Sequence, residues 1–250
     1  MPRTARKQSA SGKYHVMLRE INKQQIFEDD SDYKKFCYIM GDCKEEYDFR
    51  LHAYCIMGNH VHILIEVGDV SLSEILRKIE VRFAQWYNKK YQRTGHLFQD
   101  RFRSEVIEDD AHFLRVMRYI HNNPIKAGLC DSLEEYPWSS YRAYKEKDDS
   151  LTDIQKGIAV MGNYEDLLDF LNEVTEDEFM DISNHCRLTD NEAKQIIYES
   201  SNCSDITSFQ SLDKMERLSY IKKLKKAGLS IRQISRLCGI SKGIVERNIK

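Results

Sequence analysis

The apolar positions of the chain change their period several times before residue 125, and each change marks an element. Residues 14–19 (YHVMLR) alternate and are rich in β-formers, which predicts a strand. Asp29-Asp30-Ser31-Asp32 then supplies capping side chains for a helix to about Glu46, with Tyr33, Phe36, Ile39 and Met40 on one face. Residues 50–57 (RLHAYCIM) and 60–67 (HVHILIEV) read as two further strands, joined by Gly58-Asn59, a pair that tolerates the positive φ of a tight hairpin. Residues 71–91 carry Leu72, Ile75, Leu76, Ile79, Phe83 and Trp86 at spacings of three and four, the stripe of a long amphipathic helix. A turn at 95–98 leads to a fourth strand at 101–108 (RFRSEVIE) and a helix from Asp110 to about Asn122. Asn123-Pro124 predicts the end of that helix, because proline disfavours αR in the residue before it. The order β-α-β-β-α-β-α suits an α+β domain: a four-stranded antiparallel sheet with helices on one face.

Beyond this point the strand signals stop. Residues 134–150, with Tyr136-Pro137-Trp138 and the charged 145–149, read as the exit from the first domain. Helical periodicity follows. Near the end, a helix closes at Gly228, residues 230–237 (SIRQISRL) form a short helix, Cys238-Gly239-Ile240 is its turn, and Ser241 caps a last helix over 242–248. That succession is helix-turn-helix grammar. The expected organisation is therefore 1–145 as the first domain, 146–213 as an acidic helical linker region, and 214–250 as a basic helix-turn-helix module within an all-α C-terminal region.

Charge sharpens this division. The net charge of −2 argues against a nucleic-acid partner, but it conceals an asymmetry. Lys+Arg against Asp+Glu is 21 to 18 over residues 1–130, 6 to 20 over 131–213 and 11 to 2 over 214–250. A basic segment is the electrostatic footprint of phosphate binding; the acidic middle reads as a linker or a self-shielding element. The seven cysteines never fall in a C-x-x-C spacing, which points to free thiols in a reducing cytoplasm. Residues 1–13 lack the apolar core of a signal peptide, and no stretch of eighteen apolar residues occurs, so a cytoplasmic protein that crosses no membrane is expected.

Two segments can carry chemistry. His60 and His62, at i and i+2 on a strand, project to one sheet face, where neutral imidazoles can converge on a divalent ion. An H-x-H pair is by itself more often structural. Tyr119, in RVMRYIHNNP at 115–124, shares a helix face with Asn123 one turn on. It is either a core aromatic or a phenol able to attack a phosphodiester polarised by a metal, whose shell Asn123 could complete. His121 in the same segment is a ligand, a proton shuttle or a DNA contact.

Five ordered blocks connect these segments: YHVMLREINKQQIFEDDSDY at 14–33, AYCIMGNHVHILI at 53–65, YQRTGHLFQDRFRS at 91–104, RYIHNNPIKAGL at 118–129 and YPWSSYRAY at 136–144. With them the chain resembles the REP-associated tyrosine transposases, a branch of the HUH single-tyrosine transposases. It departs at Gly58, where proline is common, and at Asp100, where glycine is common. The resemblance implies a ferredoxin-like sheet, His60 and His62 as metal ligands, Tyr119 as nucleophile and Asn123 in place of a ligating glutamine. It implies a transposase that cleaves and rejoins single-stranded DNA beside hairpins, through a 5′-phosphotyrosine and with Mg²⁺ or Mn²⁺. The alternative is a non-catalytic DNA-binding regulator derived from a transposase. Arg3, Arg6, Lys7, Lys13, Arg93, Arg101, Arg103 and His121 are the expected contacts to single-stranded or hairpin DNA. Lys242 and Arg247 are those of the C-terminal tail, which resembles the helix-turn-helix of replication initiators and suits duplex DNA. A monomer or a homodimer is expected.

Overall fold

The computed structural model of the chain describes residues 8–19, 25–98, 102–175, 177, 179, 188, 190–203 and 205–249. Four strands form one antiparallel sheet in the order β2-β3-β1-β4: β1 (Lys13–Arg19), β2 (Arg50–Ile56), β3 (His60–Glu66) and β4 (Arg103–Ile107). The register sets Met17 opposite His62 and both Leu64 and Glu105 opposite His15. Residues directly opposite share a face, so this register decides which side chains meet.

α1 (Asp30–Tyr47) runs between β1 and β2, and α2 (Leu72–Lys90) between β3 and β4. Both start as the sequence requires. Asp29 caps α1 in a reciprocal box with Asp32, and the Ser71 side chain accepts from the amide of Glu74 at the start of α2. Their apolar stripes cover one face of the sheet, where Val16, Leu18, Val61, Ile63 and Ile65 meet Phe36, Ile39, Ile75, Ile79 and Phe83. α3 (Asp110–Lys126) lies on the opposite face, with Phe113, Val116, Met117 and Ile120 packed among Ala53, Cys55, Leu64 and Ile107. The ferredoxin-like sheet expected from the sequence is present, but the helices occupy both of its faces. The third helix has an apolar stripe of its own and covers the face left open by the first two.

α3 also runs past the end expected at Asn122, carrying Pro124 inside its last turn. A proline removes one amide donor. Here Asn123 Nδ2 donates to Tyr119 O at 3.2 Å, and Arg118 to Pro124 are all buried, so tertiary packing outweighs the local preference.

Residues 134–150 are not an exit. Ile56 N donates to Trp138 O, Ser140 N donates to Tyr54 O, Tyr136 OH donates to Ile56 O and Trp138 stacks on Tyr33 with ring centroids 4.5 Å apart. The segment lines the outer edge of β2, satisfying groups that an edge strand would otherwise expose. The short 3₁₀ turn Leu133–Glu135 and α4 (Tyr141–Glu146) belong to it. α5 (Gln155–Met161) and α6 (Tyr164–Asn172) follow, and Ile154, Leu167 and Leu171 join the core beneath α3. The first compact unit thus runs over Met1–Asn184 and the second over His185–Lys250, dividing the acidic stretch expected as one linker.

The second unit holds α7 (Asp190–Ser201), α8 (Ile206–Ser211), α9 (Lys214–Lys226), α10 (Ile231–Cys238) and α11 (Lys242–Ile249) around Ile197, Phe209, Ile221, Leu224, Ile234 and Val245. Ser230 and Gln233 cap α10 reciprocally, and Gly239 ends it at φ 65°, a left-handed conformation that glycine adopts without strain. Among the described residues no helix is long and apolar enough to cross a membrane.

Candidate active site

The face of the sheet beneath α3 carries His15 from β1 and His60 and His62 from β3, all buried. Period two puts His60 and His62 on this face and Val61 in the opposite core. The rings of His60 and His62 are 5.0 Å apart, centroid to centroid. From above, α3 lowers Tyr119 into the same space: its ring stands edge-on to His62 at 5.6 Å and to His15 at 5.7 Å. The two sequence segments that could carry chemistry therefore converge.

Burial keeps the imidazoles of His60 and His62 neutral. It pushes the pKa of His60 down to about 4, with Arg19 adding to the effect, and holds His62 well below the usual histidine range, where His60 and His15 add to it. Neutral imidazole is the form that binds a metal. His60 Nδ1 lies 2.6 Å from Asn59 Oδ1, an atom that can only accept; the proton is thus on Nδ1 and the Nε2 lone pair is left for a ligand. Asn123 is 1% exposed and turns its amide nitrogen onto its own helix, which leaves Oδ1 as its donor atom for a cation. Two neutral imidazoles and an amide oxygen are nitrogen and oxygen donors of the kind that can hold a divalent ion. Among the described residues no group of three His, Cys, Asp or Glu side chains gathers as a metal site, so a shell here needs that oxygen or oxygens from the substrate.

Tyr119 is 1% exposed. Phe179 packs against its ring at 5.3 Å, and Lys126 Nζ, one helical turn past Asn122, stands 5.2 Å from the ring centroid. The segment bearing Phe179 is held by Arg118, whose guanidinium donates to Glu173 and Asp177 at 2.6 and 2.9 Å and lies over the Phe170 ring.

The expected DNA contacts separate into three groups. Arg3, Arg6, Lys7 and Arg101, with the variant position Asp100, lie outside the described residues. Arg103 is exposed, Lys13 is half-buried, and Arg93 is half-buried with its guanidinium over the Tyr87 ring. Lys242 and Arg247 are exposed on α11, Lys242 in an ion pair with Glu246. His121 is corrected. At 0% exposure it cannot touch DNA; it packs against Tyr141 and Tyr144, its Nε2 lies 2.7 Å from Ser140 Oγ, and burial pushes its pKa down to about 3. Two residues from Tyr119 on a helix is about 200° around the axis, which turns His121 away from the site.

Sequence reading missed Asn59, His15, Glu105 and Phe179. Asn59 was visible as a turn residue next to His60. His15 stood in the alternation of the first strand, but only the register brings it to His62.

The chain is similar to known transposases. Residues 8–123 match the family of IS200-like transposases. A putative REP-associated tyrosine transposase of Haemophilus influenzae is 29% identical over 123 residues, covering 44% of this chain and 65% of that protein. The match thus spans slightly less than two thirds of that relative's length. A REP-associated tyrosine transposase of Escherichia coli is 22% identical over 130 residues, covering 51% of this chain and 74% of that protein. A solved structure of a REP-associated tyrosine transposase bound to a REP hairpin shares the fold, with a TM-score of 0.52 over 76% of this chain and 99% of that one, at 16% identity.

The likeness to the IS200-like transposases thus lies in residues 8–123, the part of the chain that holds the four-stranded sheet. The two curated proteins it resembles over this region are both described as REP-associated tyrosine transposases, the first as a putative one.

Proposed function

We propose that the chain is a DNA transposase that cuts and rejoins single-stranded DNA beside hairpin-forming sequences, with Tyr119 as its nucleophile. The observation that carries this reading is the convergence of His60, His62 and Tyr119 on one buried face. In the reaction, the phenol oxygen of Tyr119 forms a bond to phosphorus as the bond from phosphorus to the 3′ oxygen breaks. The phenol proton is given up and the departing 3′ oxygen takes one on. The product is a 5′-phosphotyrosine and a free 3′-OH. The count of phosphate ester bonds is unchanged, so another 3′-OH can reverse the step without ATP.

His60 and His62 through Nε2, with Asn123 through Oδ1, would hold Mg²⁺ or Mn²⁺, which when bound supplies Lewis-acid polarisation of the scissile phosphate. Hairpin DNA as substrate is supported by the relative solved with a REP hairpin. Exposed Arg103 and half-buried Lys13 and Arg93 suit its backbone. The second unit is proposed to bind duplex DNA through α11, with Lys242 and Arg247 facing solvent.

One observation favours the second reading, a DNA-binding regulator derived from a transposase: Tyr119 lies beneath Phe179. A single assay separates the two. The protein is incubated with single-stranded hairpin DNA and Mn²⁺, and a covalent adduct is sought on a denaturing gel. An adduct supports the enzyme; hairpin binding without one supports the regulator. Cleavage with no adduct would instead indicate activated water.

A further inference from the structure

We propose that the outer face of α9 is a second phosphate-binding strip, in which Lys222 and Lys226 hold the backbone of the duplex that α11 contacts. This deepens the reading of the second unit as a duplex-binding module and rests on it.

The fold leaves these two charges unused. In the first unit several lysines are matched by carboxylates: Lys44 by Asp153, Lys78 by Glu46, Lys90 by Asp29 and Asp32, and Lys145 by Glu134. Toward the C-terminus the acid to do this is scarce. Residues 214–250 hold two acidic side chains, Glu216 and Glu246, against eleven basic ones. Glu216 completes the capping box at the start of α9, and Glu246 pairs with Lys242. Lys222 and Lys226 are exposed, and among the described residues their ammonium groups make no hydrogen bond or ion pair. Lys223 is exposed beside them, with its Nζ 5.2 Å from the centroid of the Tyr220 ring.

Lysines in the last turns of a helix can serve its dipole. Here Lys225 does so: it is half-buried and donates to Leu229 O at 3.4 Å, just past the helix end. Lys222 and Lys226 stand one turn apart on the side away from Ile221 and Leu224, which are buried in the core. Their Cα atoms are about 6 Å apart along the axis, so two long side chains can reach separate phosphates of one strand. Met215 is the exposed large apolar residue of α9 and lies at its opposite end. A lipid surface needs an apolar face to insert; this face fits a polyanion. Ala227, Gly228 and Leu229 join Lys226 to Ser230, the cap of α10, and α9 packs against both α10 and α11. The strip is thus continuous with the helix-turn-helix, where phosphate contacts fix the register of a recognition helix on duplex DNA.

Two pairs of substitutions of equal charge, made in the full chain, test this. Binding to a blunt duplex is titrated by fluorescence anisotropy over a salt series, and the slope of log K against log salt is read. Lys222→Ala with Lys226→Ala should lower that slope by about two. Lys194→Ala with Lys214→Ala removes the same charge from exposed positions on α7 and at the start of α9, and should leave the slope close to wild type. Alanine is a strong helix former, so both pairs should fold. Equal falls in the two pairs would mean that net charge alone matters, and no fall in the α9 pair would mean that its face is merely solvated. Either result overturns the inference. The single variants Lys242→Ala and Arg247→Ala separate it from the reading on which it rests. If the slope falls for these and not for the α9 pair, the duplex module stands without the strip. If it falls for the α9 pair alone, the strip stands and α11 is not the duplex surface. A wild-type chain that binds no duplex removes both.

Discussion

The ring of Tyr119 stands almost perpendicular to that of His62, at 87°, with the two centroids 5.6 Å apart. A helix and a strand with 43 residues of chain between them are brought to this contact by the packing of α3 on the sheet. Tyr119→Phe preserves the ring and its contacts and removes only the oxygen. We expect adduct formation and cleavage to fall about a thousandfold or more, with hairpin affinity within a few-fold of wild type. Radiolabelled DNA on a denaturing gel and a parallel binding titration check this. Adduct in the variant would show that another group attacks.

The three candidate ligands are expected to differ in weight. His60→Ala and His62→Ala each remove a neutral imidazole held ready by burial, and should abolish measurable Mn²⁺ binding. Asn123→Ala should cost less, about tenfold, because an amide oxygen is a weaker donor and water can replace it. Calorimetric titration of the three variants orders them. If Asn123→Ala binds Mn²⁺ as wild type does, the third protein donor is absent.

Acid should destabilise the first unit. Burial lowers the pKa of His121 to about 3 and depresses that of His52, despite the hydrogen bond from His52 to Glu66. An unfolded histidine titrates near 6.5, so below that pH the unfolded chain binds protons that the folded one refuses. Stability is then complete above about pH 6.5 and declines as pH falls toward the folded values. Each such histidine contributes up to about 1.4 kcal/mol per pH unit in that window. Urea melts between pH 7 and pH 5 should show the decline, and His121→Gln should flatten it. A slope unchanged in the variant would mean that His121 is protonated in the fold.

Lys242 and Arg247 are exposed on α11, at the end of the segment richest in basic residues. If they contact duplex phosphates, substituting either with Ala should lower the slope of log K against log salt by about one, uniformly across DNA sequences. Lys242 also pairs with Glu246, so its own effect should be the smaller. A slope identical to wild type in both variants would place the DNA surface elsewhere.

Much of this site was legible because it depends on short spacings. Period two puts His60 and His62 on one face, and a helical turn aligns Tyr119 with Asn123. His15 was not legible, since its meeting with His62 depends on how strands 47 residues apart align. His121 was misplaced for a related reason. Its neighbours Tyr141 and Tyr144 come from a segment whose charge and proline suggested an exit, but which supplies hydrogen bonds to the edge of β2. The end of α3 failed in the same way: a local rule about proline was outweighed by burial that only the folded sheet provides.

That extra turn of α3 has an electrical consequence. Had the helix stopped at Asn122, Lys126 would not be carried back over the ring of Tyr119. In the folded chain, a fixed cation stands beside the one phenol whose oxygen would give up its proton to phosphorus chemistry. Pro124, by remaining inside the helix, lets the backbone act as a spacer of set length between a charge and a reacting atom.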